Sequence, residues 1–428
     1  HFWRPGMSKS LDELKAAALK CTRCGQCLTI CPVYGKTYEE SNSSRGKLFL
    51  LRSLADGTVK PTKELMELAA RCTLCMRCKA ICPSGVNTTD LIMALRRKMA
   101  EEGQLPAAKS IAFKAVTKGR LFDMALSHAK PFQSILFKNT ENGAGKVSRI
   151  PIPAAGLNLR RVVPALADKP LRKIMPAVSS PKGSARARVA FFPGCMLNYV
   201  YANAGKALID VLVANGVEVH LLDNLQCCGT PLFSSGDFDG AALLAENNAR
   251  ILSRGSFDAV ITGCATCGSA LSKEYGEVLQ NSDALSAWEG FKDKVFDFSD
   301  FLIKLGPAPY VQNVPLKATY HDACHLVRGM GVSKQPRSLI RAIPGLRFVE
   351  MSRPDVCCGC AGTFSATHYE LSQQILADKT SDILSTGADV VATGCSACKM
   401  QLIDGLSHRG ANVRVLHTAE LLAKAYGL

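Results

Sequence analysis

Two regimes of hydrophobic patterning divide the chain. From residue 189 onward, short runs rich in β-branched and aromatic residues ("RVAFF", "DAVIT", "KATY", "DVVAT") alternate with stretches whose apolar residues recur at helical spacing. "ANAGKALIDVLVANG" and "ELSQQILADKTSDILSTG" are examples of the latter. That alternation predicts βαβ units and a mostly parallel sheet. Before residue 104 the pattern is helical instead. Ser10 and Glu13 in "SLDE" form a capping-box pattern opening a helix that leads to Cys21. Thr62 precedes "KELMELAARC" as a cap, Thr89 caps "DLIMALRRKMAEE", and Gly103 stops that helix.

With 428 residues the chain has room for two or three domains. A hydrophobic content of 47% and a mean hydropathy of +0.08 describe an ordinary globular core. The 19 cysteines are out of proportion to that picture. A secreted disulfide scaffold would be shorter and carry a signal peptide, and no such pattern opens the chain. Residues 1–6, "HFWRPG", read as a tag or upstream remnant and are set aside. No apolar run is long enough for a transmembrane helix. The expectation is a reducing, cytoplasmic location, with peripheral docking at the cytoplasmic face of the inner membrane. So many thiols there point to metal.

The net charge of +16 is unevenly spread: +7 over 1–103, +13 over 104–188 and −4 over 189–428. The middle segment also holds eight of the 20 prolines. It reads as a basic, partly extended connector between a domain at 7–103 and two lobes at 189–312 and 313–428. Its charge suits an acidic protein subunit or an anionic membrane surface. Without clustered aromatics or a nucleic-acid motif, no nucleic-acid partner is expected.

"CTRCGQCLTICP" and "CTLCMRCKAICP" each carry the spacing C-x2-C-x2-C-x3-C-P. Three thiolates of such a loop wrap one iron–sulfur cube, while the fourth reaches to the other. One [4Fe–4S] cluster is therefore expected on Cys21, Cys24, Cys27 and Cys82, and a second on Cys72, Cys75, Cys78 and Cys31. Zinc ribbons also use C-x2-C pairs, but two complete sets ending in Cys-Pro argue for iron–sulfur. Arg23, Arg71, Arg77 and Lys79 flank these cysteines and should favour more reduced clusters.

Ten more cysteines fall into register once the last 240 residues are folded back on themselves. Cys195 corresponds to Cys324, the pair Cys227 and Cys228 to Cys357 and Cys358, and Cys264 and Cys267 to Cys395 and Cys398. The offsets are 129, 130 and 131 residues, too long for a solenoid repeat and right for two duplicated lobes. A disulfide between adjacent cysteines is disfavoured: their Cα atoms are about 3.8 Å apart, and an unstrained bridge needs about 4.4–6.8 Å. Cys195, Cys264, Cys324 and Cys395 each fall just after a predicted strand, at the end where open α/β sheets bind ligands. Five thiols per lobe are thus expected to converge on one rim. Four thiolates suit zinc as well as iron, so a zinc site in one or both lobes also fits. Cys360 stands outside the duplication as a packing residue, an extra ligand or a redox-active thiol. His321 and His325 flank Cys324, where a histidine could ligate metal, supply a proton or orient the loop.

A lone Cys, then Cys-Cys-Gly, then Cys-x-x-Cys resembles the cysteine-rich "CCG" domain. That domain occurs in heterodisulfide reductase subunits and in the iron–sulfur subunits of glycolate/lactate oxidases and of anaerobic glycerol-3-phosphate dehydrogenase. The N-terminal part resembles the helical two-cluster ferredoxin domain of succinate dehydrogenase iron–sulfur subunits. "SSRGKLFLL" and "CCGCAGTF" look most like the glycolate/lactate oxidase group. The resemblance implies a non-cubane [4Fe–4S] cluster on Cys195, Cys227, Cys228, Cys264 and Cys267, and another on Cys324, Cys357, Cys358, Cys395 and Cys398. It also implies a separate FAD-binding 2-hydroxyacid dehydrogenase subunit, lactate or glycolate being the substrate. Electrons would pass through this chain to a quinone, a membrane subunit or another carrier. The alternatives are a heterodisulfide reductase-type catalytic subunit and a zinc-stabilised docking module. No dinucleotide fingerprint or P-loop is present.

Overall fold

The computed structural model describes residues 11–140, 143, 145–151 and 158–428. Ser10, the expected first cap, and the 1–6 segment lie outside them. Four longer helices frame the N-terminal domain: Leu11–Leu19, Ser44–Ala55, Lys63–Ala70 and Thr88–Glu101. Their apolar stripes meet in a core that includes Leu14, Leu48, Leu51, Leu65, Leu95 and Met99. Each fully buried Leu or Met contributes about 1.5–3 kcal/mol. Thr62 caps as expected, its hydroxyl accepting from Leu65 N–H at 3.3 Å. Thr89 does not: the last helix begins at Thr88, two residues earlier than expected, Asn87 takes the cap position, and the Thr89 hydroxyl bonds the Asn87 side chain instead.

Residues 104–188 are more folded than an extended connector. Alternating apolar and basic positions give helices Ala107–Thr117, Gly119–Ser127 and Ala129–Leu136. An antiparallel sheet follows, of β1 (Phe137–Asn139), β2 (Lys146–Ser148) and β3 (Val162–Val163). The segment is also tied into the lobes. Arg161 donates to the Ser365 carbonyl at 2.8 Å, and Val162 N–H to the Asp404 carboxylate at 2.8 Å. The prolines and charge that suggested extension sit between these short elements.

Both lobes carry a parallel-rich sheet. In the first, β4 (Val178–Ser179), β5 (Ala187–Phe192), β6 (Val217–His220), β7 (Ala259–Thr262) and β8 (Val295–Asp297) lie in the order β4-β6-β5-β7-β8. Only the edge strand β4 is antiparallel. In the second, β9 (Lys317–Tyr320), β10 (Arg347–Phe348), β11 (Val390–Thr393) and β12 (Arg414–His417) lie in the order β10-β9-β11-β12, all parallel. The order is the same in both lobes once β4 is set aside. The alternating pattern predicted this arrangement because strands buried on both faces read as near-continuous apolar runs. Strand β5 starts in the connector, two residues before position 189.

The lobes share one interior. Residues of both sheets, such as Phe191, Ile261, Tyr320 and Val390, pack in a common core with helices Ala202–Ala214 and Thr418–Tyr426. The strand ends face each other: Ala265 N–H donates to the Gly394 carbonyl at 3.0 Å, and His417 Nε2 meets the Gly263 carbonyl at 2.6 Å. Asp297 occupies the place of His417 in the first lobe and caps helix Phe298–Leu305 by accepting from Ser299 N–H at 2.8 Å. Burial pushes its carboxyl up to about 7. A carboxyl raised on folding stabilises while protonated, and that contribution is lost as pH rises from about 4 through about 7. Asp297→Asn keeps the cap acceptor, so its urea-unfolding midpoint should vary less with pH than wild type across that interval.

Candidate metal centres

The two N-terminal cysteine loops share one backbone solution. Arg23 and Gly25 in the first, and Leu74 and Met76 in the second, sit two and four residues after the leading cysteine with positive φ. Left-handed turns at these positions curl each loop so that its first three thiols face inward. For Arg23, Leu74 and Met76 the conformation costs about 1 kcal/mol or more each, so the structure packed around each loop must hold it there. Short helices Gln26–Ile30 and Arg77–Ile81 then carry each chain to its fourth cysteine.

One small cavity is lined by Cys21, Cys24, Cys27 and Cys82, and also by Cys78. Another is lined by Cys31, Cys72, Cys75 and Cys78. The fourth cysteine of each motif thus stands with the first three of the other. Backbone N–H groups point at the sulfurs of Cys31, Cys72 and Cys82, at 3.4–3.5 Å. Burial pushes the Cys27, Cys31 and Cys75 thiols up and Cys78 up to about 11. Convergent, desolvated sulfur donors with N–H groups aimed at them are a donor set for a thiolate-ligated cluster.

Buried positive charge at the second of these sites comes from residues the sequence did not single out. Lys47 is 1% exposed, and its ammonium donates to the Asn42 carbonyl at 2.5 Å. Burial brings it down to about 8, while Cys72 and Cys31 pull it back up. Arg96, 4% exposed, donates to the carbonyls of Ala69, Ala70 and Cys72 and to that of Ser234 in the first lobe. Two of the expected flanking cations face carboxylates instead. Arg71 pairs with Glu67 and Glu39, and Arg77 with Asp355.

The ten duplicated cysteines form a single run of thiol contacts. Its order is Cys195, Cys227, Cys228, Cys267, Cys264, Cys395, Cys398, Cys358, Cys357, Cys324. The second half mirrors the first, and Cys264 meets its counterpart Cys395 where the lobes join. Contacts from Cys267 and Cys395 hold Cys264 well below the ordinary thiol range, and those from Cys324 and Cys358 do the same for Cys357. Gly194 shows why this packing demands glycine: its φ is +58°, and a Cβ there would stand 2.9 Å from the Cys267 sulfur. Five convergent thiols in each lobe fit an iron–sulfur cluster, and four of them would equally satisfy zinc.

The lobes differ in access. Cys324, Cys357, Cys358, Cys395 and Cys398 line a cavity of about 300 Å³ between the lobes and the N-terminal domain, and no first-lobe cysteine does. Cys360 lines it too, with its thiol pushed up to about 11 by burial. Charged residues, among them Lys79, Lys273, Glu274 and Arg328, line its wall, and His325 Nδ1 lies 3.5 Å from the Cys324 sulfur. Burial, with Lys379 nearby, brings His321 down to about 3, partly offset by Cys357 and the Pro354 carbonyl. Sequence reasoning also missed Thr73. Buried at 2% exposed, its hydroxyl reaches both Cys75 of the N-terminal domain and Cys357 of the second lobe.

Comparison with known proteins agrees with this geometry. A cysteine-rich domain matches residues 189–272 and 318–403, and a 4Fe-4S dicluster domain matches residues 17–86. The probable glycolate oxidase iron-sulfur subunit of Bacillus subtilis is 30% identical, with 96% of this chain and 94% of that one covered. The chain belongs to the cysteine-rich-domain iron–sulfur oxidoreductase family. A subunit of the anaerobic glycerol-3-phosphate dehydrogenase of Escherichia coli is 31% identical over 80% of this chain and 83% of its own. A subunit of the dihydromethanophenazine:CoB--CoM heterodisulfide reductase of Methanosarcina acetivorans is 27% identical over 98% and 97%. Among solved structures, a hypothetical protein from Helicobacter pylori shares the fold, with a TM-score of 0.52 at 10% identity over 99% of this chain and 74% of that one. This family member is an iron–sulfur oxidoreductase subunit, and no helix among its described residues is long and apolar enough to cross a membrane.

Proposed function

We propose that the chain is the electron-transfer subunit of a flavin-dependent 2-hydroxyacid dehydrogenase, acting on lactate or glycolate through a partner that binds FAD. The observation that carries this reading is continuity. Sulfur donors run from the two N-terminal sites, across Thr73, into the ten-thiol run of the lobes. Cys21, Cys24, Cys27 and Cys82 would hold one [4Fe–4S] cluster, and Cys72, Cys75, Cys78 and Cys31 the other. Cys195, Cys227, Cys228, Cys264 and Cys267 would hold a non-cubane cluster in the first lobe. Cys324, Cys357, Cys358, Cys395 and Cys398 would hold its counterpart. Such clusters, when bound, take up and release single electrons. The protein's part is to space them, shield them from water and set their order of reduction through nearby charge.

The basic segment would dock the flavoprotein or a membrane-bound acceptor. Its short helices leave Leu121, Met124, Phe132 and Ile135 more than half exposed. Co-expression with a flavoprotein partner should give a complex that oxidises lactate or glycolate with a quinone analogue as acceptor. Anaerobically purified protein should contain roughly 16 iron and no zinc per chain. About 8 iron with stoichiometric zinc would replace the lobe clusters with zinc sites.

The 300 Å³ cavity beside the second-lobe cysteines favours a second reading, in which this lobe reduces a disulfide directly. Under it, the chain without any flavoprotein would reduce a heterodisulfide when supplied with an artificial electron donor. Lack of that activity in a fully loaded chain removes the second reading and leaves the first.

A further inference from the structure

His321 is 1% exposed, and its ring nitrogens make no well-formed hydrogen bond, the Pro354 carbonyl offering one of them a weak contact. An orphaned buried polar group costs about 1–3 kcal/mol, and native interiors seldom keep one without a purpose. Its donor atom and the sulfurs of Cys358 and Cys398 all lie within 4.8 Å of one another. Those two cysteines come from the adjacent pair and from the Cys-x-x-Cys of the second lobe. Three elements therefore aim their donors at one point: the end of β9, the Cys-Cys-Gly turn, and helix Ser396–His408.

The duplication supplies an internal control. His321 follows β9, and its backbone N–H bonds the Ala392 carbonyl of β11 at 2.9 Å. The matching residue of the first lobe is Phe192, fully buried at the end of β5 and paired with Thr262 of β7. Its ring lies 3.6 Å from the Cβ position of Gly194, the same point that faces the Cys267 sulfur. The first lobe thus puts hydrocarbon where the second puts a nitrogen donor. Packing alone does not require imidazole, since phenylalanine fills the equivalent space.

We propose that His321 gives a ring nitrogen to the metal centre of the second lobe, whose donor set is then mixed nitrogen and sulfur, while that of the first lobe is sulfur alone. The Pro354 carbonyl stands beside the ring, and metal-ligating histidines regularly turn their other nitrogen to such an acceptor. A neutral imidazole added to five thiolates changes the electron density at the iron it binds, and with it the potential of the centre. The second lobe, the one whose cysteines line the open cavity, would then differ in potential from the first. The inference rests on the reading that this lobe holds an iron–sulfur cluster.

The test compares the full chain, labelled with ¹⁵N-histidine, with the His321→Phe variant, which imports the first lobe's own residue and conserves bulk. The wild-type second-lobe signal should show a nitrogen hyperfine coupling in pulsed EPR. In His321→Phe that coupling should disappear and the midpoint of this signal should shift, while the other signals keep theirs. A second-lobe signal without nitrogen coupling, and unmoved by His321→Phe, overturns the proposal but spares the cluster reading. An iron content of about 8 per chain with no signal from the lobes overturns the cluster reading itself, and the proposal with it.

Discussion

Serine in place of Cys358 is expected to delete one paramagnetic centre from the reduced protein while both N-terminal centres keep their full spin count. Cys358 is 2% exposed and sits between Cys357 and Cys398 in the run of thiol contacts. A buried serine hydroxyl is a poor substitute, being hard and far less acidic where a soft thiolate is needed. Changes to outer-sphere partners alone typically cost about 10–100-fold in metal affinity, so loss of a direct donor should cost at least that. Cys228→Ser should do the same in the first lobe. Cys360→Ser should leave the number of centres unchanged, because its thiol stands outside the run and answers to Ser365 and Arg161. Iron counts should track the spectra. Full retention of iron and of every signal in Cys358→Ser would remove this cysteine from the ligand set.

The sequence made these donors legible because cluster ligation leaves few choices. Repeated Cys spacing and a 129–131-residue offset survive as text, and the strands that deliver Cys195, Cys264, Cys324 and Cys395 alternate visibly with helices. The meeting of the two cysteine sets at Cys264 and Cys395 was not legible. It depends on how two lobes pack, and periodicity within one lobe carries no information about the other. The connector misled for a related reason: proline and charge mark breaks between elements but not what the elements bond to, and Arg161 is buried against the second lobe. Thr73, Lys47 and Arg96 were hidden because a threonine, a lysine or an arginine in a helical domain ordinarily faces water. Only the fold shows that these three are buried beside sulfur.

Exchange of Lys47 for methionine should lower the midpoint potential of one N-terminal centre and spare the other. The affected centre is the one expected on Cys31, Cys72, Cys75 and Cys78. Its surroundings hold Lys47 and Arg96, both buried and both bonded to carbonyl groups of the main chain. The site of Cys21, Cys24, Cys27 and Cys82 has Arg45, which bonds the Arg23 carbonyl and pairs with the exposed Glu40 at 2.7 Å. Carbonyl dipoles do not cancel a full charge, so the inner site keeps a positive field that the outer site largely lacks. A unit charge at ~8 Å in an effective dielectric of about 20 is worth roughly 2 kcal/mol. For one electron that corresponds to roughly 90 mV. Methionine approximates the lysine stem and removes a buried ammonium, so the cost of orphaning the Asn42 carbonyl is offset by the desolvation no longer incurred. Potentiometric EPR titration of the variant should therefore show a folded protein with one centre displaced downward. The displaced centre is the one nearest Thr73 and the second lobe. Equal shifts in both centres, or none, would mean that Lys47 does not set the order of reduction.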